Sequence, residues 1–169
     1  DGERYPIVPR CEGFKVLGTM FTLDACMQVE FQCRVNAAWA KFWSLWPLLG
    51  KKDGILEKRL QLLQSCVATT LLWFCETWTL KVQTKRYIRT LQRRMLRIII
   101  SVRRQPDEDY VSWIRRSTKL AEEKARQAGV KCWLKMHLES KWRWAGQLAH
   151  MGADRWAAKT TFWRDSDWW

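Results

Sequence analysis

The chain has 169 residues, with 30 lysines and arginines against 17 aspartates and glutamates and a formal net charge of +13; its isoelectric point is near 9.8. A hydrophobic share of 47% is enough for a real core, so one domain, or one lobe of a larger one, is expected. The excess cation calls for a polyanionic partner, nucleic acid first and an anionic membrane surface second.

Residues 1–13, DGERYPIVPRCEG, carry Pro6 and Pro9 and no periodicity, which predicts an extended arm. Over 14–21, Phe14, Val16 and Gly18 alternate with Lys15, Leu17 and Thr19, the pattern of a short strand that turns tightly at Gly18. A hairpin this short does not stand alone and implies a neighbouring sheet. Asp24 is placed to cap a helix over 24–46. Met27, Phe31, Val35, Ala38, Phe42 and Leu45 form its stripe, and Pro47 is expected to end it. LLGKKDG reads as a turn. A second helix is expected over 55–74, with Leu56, Leu60, Leu63, Val67 and Leu71 at steps of three and four. Its uncharged run of sixteen residues, 60–75, is shorter than the roughly 20 residues of a membrane span. A buried core helix explains it better than membrane contact.

The stretch 77–106 holds Lys81, Lys85, Arg86, Arg89, Arg93, Arg94, Arg97, Arg103 and Arg104 and no acidic residue. Its apolar residues Ile88, Leu91, Met95, Ile98, Ile99 and Val102 recur at helical spacing. At about 100° per residue they cover roughly one third of a helix. Lys85, Arg86, Arg89, Arg93 and Arg97 read as the opposite face, a run of cation whose counter-charge lies on another molecule. Pro106 is expected to break this helix. Asp107, Glu108 and Asp109 then supply acid to the first turn of the next one, where the helix dipole favours it, rather than forming a metal site. Trp113 and Ile114 anchor that helix and Gly129 ends it. Residues 130–152 predict one or two short helices punctuated by Gly146 and Gly152, and 153–169 an irregular tail rich in tryptophan.

No glycine-rich phosphate loop and no nucleophile elbow occurs. The two histidines, His137 and His150, read as a packed and a surface residue. The six cysteines, Cys11, Cys26, Cys33, Cys66, Cys75 and Cys132, show no C-x-x-C spacing, and no signal peptide is visible. They read mostly as small buried hydrophobes in a reducing compartment, nucleus or organelle, without a zinc site. No cofactor is expected. Of the thirteen tryptophans, Trp39, Trp43, Trp73, Trp78, Trp113 and Trp133 are expected as core knobs. Trp142 and Trp144 flank Arg143 beside Lys141, and aromatics interleaved with cations can stack bases while gripping phosphates.

FKVLGT at 14–19, LLWFCETW at 71–78, LQRRMLRII at 91–99, SWIRRST at 112–118, KWRWAGQLAHM at 141–151 and FWRDSDWW at 162–169 resemble, in that order, the C-terminal part of non-LTR (LINE-type) retrotransposon reverse transcriptases. The family usually has Tyr-Gly where Trp73 and Phe74 stand, and Gly-His-Val-Ala-Arg where this chain has Gly146 to His150. The resemblance implies a mainly α fold: an arm and primer-grip-like hairpin over 1–22, carrying Phe14, Leu17 and Gly18; a thumb-like helical bundle over 23–105; and a basic, tryptophan-rich region over 106–169. It also implies that the palm, with the aspartates that hold both metal ions, is absent here. The expected function is therefore non-catalytic: a thumb gripping RNA or RNA/DNA duplex by its backbone. Lys85, Arg86, Arg89, Arg93, Arg94, Arg97, Arg103 and Arg104 would do so, joined by Lys141, Trp142, Arg143 and Trp144. A polymerase palm or other protein subunits are the further partners implied. The alternative is a retroelement fragment reused as a structural subunit of a large ribonucleoprotein, organellar or membrane-associated assembly.

Overall fold

The computed structural model describes residues 13–22 and 27–162. It opens on an antiparallel hairpin, β1 (Phe14–Val16) and β2 (Thr19–Phe21), with Phe14 opposite Phe21 and Val16 opposite Thr19. Leu17 and Gly18 join the strands with φ of 48° and 86°. Two left-handed residues give the turn whose twist matches its strands, and glycine meets that demand at Gly18 without strain. No further strand lies beside the hairpin among the described residues, so the expected neighbouring sheet is replaced by a helix. The Glu30 carboxylate of α1 (Met27–Ser44) accepts a hydrogen bond from the Met20 amide at 2.6 Å and one from Arg34 Nε at 2.6 Å. Arg34 also donates to the Gly18 carbonyl.

Helix α1 buries Phe31, Val35, Ala38 and Phe42, four of its predicted stripe; the expected cap at Asp24 lies outside the described residues. The predicted stop at Pro47 is corrected. The helix ends at Ser44, and Pro47 lies in the first turn of a single-turn helix, α2 (Trp46–Leu49), where its missing N–H has no bond to lose. The predicted helix over 55–74 is divided into α3 (Leu56–Leu62), a π-helical stretch (Leu63–Ala68) and α4 (Thr69–Leu71). The Thr69 and Thr70 hydroxyls donate to the Ser65 and Cys66 carbonyls at 2.6 and 2.7 Å, the back-bonding that loosens a helical ladder. Phe74 is left-handed at φ 57° and precedes a 3₁₀ turn (Cys75–Thr77). Leu60, Leu63, Val67, Leu71 and Cys75 are fully enclosed, so one face of the uncharged run is interior. Among the described residues no helix is long and apolar enough to cross a membrane.

The basic helix α5 (Val82–Ile100) buries Ile88, Leu91, Met95, Leu96 and Ile99 together with Thr84 and Gln92. It stops at Ser101, left-handed at φ 52°, five residues before the proline expected to break it. α6 (Tyr110–Gln127) begins at Asp109, whose side chain accepts from the Val111 and Ser112 amides at 2.9 and 3.1 Å. The acid therefore caps the helix from outside its first turn. Gly129, at φ 70°, ends α6 as predicted, and the Val130 amide closes onto the Ala125 carbonyl at 2.9 Å. α7 (Trp133–Ala149) runs unbroken through Gly146, and the expected irregular tail begins with α8 (Trp156–Phe162).

Phe42, Leu60, Leu71, Trp78, Ile88, Met95 and Trp133 belong to one core drawn from α1, α3, α4, α5, α6 and the start of α7. The tryptophan expectation holds for Trp78 and Trp133, while Trp39 and Trp113 are half-buried. Trp43 and Trp73 are 50% and 55% exposed: one flanks buried Phe42, the other lies past the end of α4. The cysteine expectation is corrected for the four described residues, Cys11 and Cys26 lying outside them. Among the described cysteines Cys75 alone is buried, its thiol pushed up to about 12 by burial and by Glu76, while Cys33 and Cys132 are exposed.

Candidate nucleic-acid interface

The α5 cations do not form one open face. Arg86 and Arg89 are exposed, and Arg93 alone of the α5 cations pairs with a carboxylate among the described residues, Glu122 of α6 at 2.7 Å. α6 lies antiparallel along this side, and Arg97 donates to the Thr118 hydroxyl at 3.0 Å. Both partners of the Arg93–Glu122 pair are 47% exposed, and such pairs contribute about 0–1 kcal/mol, so a phosphate can displace Glu122 at small cost. Lys85 departs from the predicted face. It sits about 60° from Ile88 around the helix, toward α7, where its charge bears on His137.

Two grooves gather the rest. Between α5 and the end of α6, a groove of about 270 Å³ brings Arg89 and Arg93 together with Arg126, opposite Glu122. A larger one, of about 890 Å³, lies between the α2–α3 loop, the C-terminal turns of α5 and the start of α6. It joins Arg94 and Arg97 to Lys52 and Arg59, with Trp46, Tyr110 and Trp113 as aromatic walls and no carboxylate in its lining. The Arg94 guanidinium lies 5.3 Å from the centre of the Trp39 ring, a cation–π contact that leaves its N–H fork unspent.

Arg103 and Arg104 follow α5 on non-helical chain. Arg104 Nε donates to the Glu108 carbonyl at 2.6 Å, and the Arg103 carbonyl accepts from Arg116 at 3.0 Å. Arg116 also donates to Glu108, and holds that carboxyl below its usual range. Of the acids expected beside Pro106, Glu108 thus orients this basic linker, through its carbonyl and through Arg116. On α7, Lys141 is exposed, and its ammonium donates to the Trp78 carbonyl at 3.0 Å. Trp142 and Trp144 are 74% and 39% exposed, so neither belongs to the core, and Arg143 between them is exposed. Phe14 and Leu17 are exposed on the hairpin, with Gly18 against the indole of Trp73.

Reading the sequence missed Lys52, Arg59 and Tyr110. Lys52 stands in an ordinary polar turn, Arg59 on an amphipathic helix and Tyr110 after an acidic cap. Nothing local marks them, because only tertiary packing brings them to one groove. No family model, no curated protein and no solved structure matches the chain.

Proposed function

We propose that this chain is a non-catalytic nucleic-acid-binding module, built like the thumb of a non-LTR retrotransposon reverse transcriptase, that grips a duplex by its sugar–phosphate backbone. The observation that carries this reading is the outward row on α5. Arg86 and Arg89 make no ion pair among the described residues, and Arg93 beside them holds only an exposed, exchangeable one. Long guanidinium side chains on a rigid helix contact phosphates without reading bases, which is how a protein holds a duplex regardless of sequence. The exposed Trp142 and Trp144 around Arg143 add stacking surface for unpaired bases. Further support is the ordered series of segments that resemble those of that family, beginning with the hairpin and continuing through the helices.

The test is a salt titration of binding to a short RNA/DNA hybrid. Affinity should fall steeply with salt, by a log–log slope of roughly 0.7–0.9 for each phosphate neutralised. Arg86→Gln with Arg89→Gln should reduce that slope and weaken binding at a melting midpoint no lower than that of the wild type. Salt-independent affinity would remove the proposal.

A second reading has its own observation. Phe14, Val16, Leu17 and Phe21 of the hairpin are all more than 40% exposed, as are Trp73 and Phe74 close by in the chain turn that meets Gly18. Exposed apolar surface of this kind suits a protein neighbour, either a polymerase palm or a subunit of a larger assembly. Co-purification in a stoichiometric particle, with no longer transcript encoding a palm, would favour the structural-subunit role.

A further inference from the structure

We propose that the groove between the α2–α3 loop, the C-terminal turns of α5 and the start of α6 binds one unpaired nucleotide of the gripped nucleic acid, its base on Tyr110 and its phosphate among Lys52, Arg94 and Arg97. This deepens the nucleic-acid reading and rests on it. The groove's volume of about 890 Å³ suits a small-molecule site and is too small for a duplex.

Its charge is one-sided. Of the four cations in its lining, Arg59 is already committed: Nε donates to the Leu49 carbonyl at 2.7 Å and an Nη to the Ile99 carbonyl at 2.8 Å. Those carbonyls end α2 and α5, and the partial negative charge of helix C-termini balances a guanidinium there. The other three are not balanced. Lys52 forms no ion pair or hydrogen bond among the described residues, Arg97 spends one donor on Thr118, and Arg94 is stacked on Trp39 with its donors open. A guanidinium carries five N–H donors, so each of the three lining cations keeps donors open for the oxygens of a phosphate.

The aromatic wall supplies the second half of a nucleotide site. Tyr110 is 61% exposed, with its ring centre 5.6 Å from that of Trp113. Trp113 is fixed in turn by its indole N–H, which donates to the Val102 carbonyl at 3.0 Å. A ring presented to solvent on a fixed neighbour is a ready stacking surface, and a base must leave its pair to reach it.

The experiment compares a blunt RNA/DNA hybrid with the same hybrid bearing a one-nucleotide overhang, both bound by the full 169-residue chain. The overhang should tighten binding about tenfold, the scale of one base stacking on an aromatic ring. Tyr110→Ala or Lys52→Gln should erase that gain and leave affinity for the blunt hybrid unchanged; both side chains are exposed, and matching melting midpoints would show that the fold survives. Excess nucleoside monophosphate should abolish the gain without displacing the blunt hybrid. Equal wild-type affinity for the two hybrids overturns the groove assignment while the duplex grip stands, and so does a gain that survives Tyr110→Ala. Displacement of the blunt hybrid by the mononucleotide overturns it as well. Failure to bind either hybrid overturns both proposals.

Discussion

His137 lies 3% exposed on α7, its ring stacked on that of Trp78 at 6.3 Å and 24°, and neither ring nitrogen makes a hydrogen bond of good geometry, though the Cys75 backbone lies close enough to favour the proton weakly. Burial, followed by the nearby Lys141 charge, lowers its pKa below the ordinary value, so the folded protein holds the neutral imidazole. The unfolded chain takes up a proton near pH 6.5, whereas the folded one does so only at lower pH. Stability is thus fully present above about pH 6.5 and falls below it, by at most about 1.4 kcal/mol per pH unit, until the folded pKa is reached. Glu108, Asp109 and Glu139, whose pKa values are also lowered, lose their contributions in a separate window, below the ordinary carboxylate range near pH 4. His137→Phe keeps the stacked ring and removes both ring nitrogens, a change that is neutral or stabilising when shape is preserved. Urea midpoints should match or exceed wild type at pH 7.5, and the advantage of the variant should grow toward pH 5. An advantage that does not change with pH would mean that His137 is not buried in its neutral form.

Arg59 works at the scale of elements, because a single guanidinium closes the carbonyl ends of α2 and α5 at once. Arg59→Met retains the aliphatic stem but removes two charge-assisted bonds, and should cost about 3 kcal/mol in urea unfolding. Arg59→Lys should recover part of it, since an ammonium lacks the fork that spans both carbonyls. An unchanged Arg59→Met midpoint would show that these carbonyls have other partners. The same elements show what was legible in the sequence. α5 could be read because Ile88, Leu91, Met95 and Ile99 repeat at helical spacing, and spacing is a local property. Its end at Ser101 could not, since a left-handed serine leaves no mark of the kind Gly129 leaves at the end of α6. The π stretch was hidden for a related reason. Ser65, Thr69 and Thr70 are visible as hydroxyls, but whether they bond back to carbonyls depends on the packing around them. In the candidate site, the acid-free run identified the cations but not their partners. Glu122 lies 29 positions beyond Arg93, and only the docking of α6 on α5 brings the two together.

For the molecule as a whole, a net charge of +13 makes self-repulsion a standing cost on the folded state. Four of the five ion pairs among the described residues have at least one partner more than a third exposed, so they offset little of it. Salt shortens the Debye length to about 8 Å near physiological strength and screens the repulsion, so the melting midpoint of the free protein should rise as salt is added. A bound duplex reverses that sign. Ligand at about 100 times its Kd stabilises the fold by about 2.7 kcal/mol through mass action, but salt weakens the binding itself by releasing the advantage of counterion displacement. With saturating hybrid at low salt the midpoint should therefore start high and fall as salt rises, converging on the curve of the free protein. Arg86→Gln with Arg89→Gln should leave the free curve slightly higher at low salt, because two repelling charges are gone, and should shrink the gap between the two curves. Differential scanning fluorimetry across a salt series measures all four curves. A free protein whose midpoint falls with salt would mean that its ion pairs outweigh its repulsion, and the outward arginines would then be balanced from within the molecule.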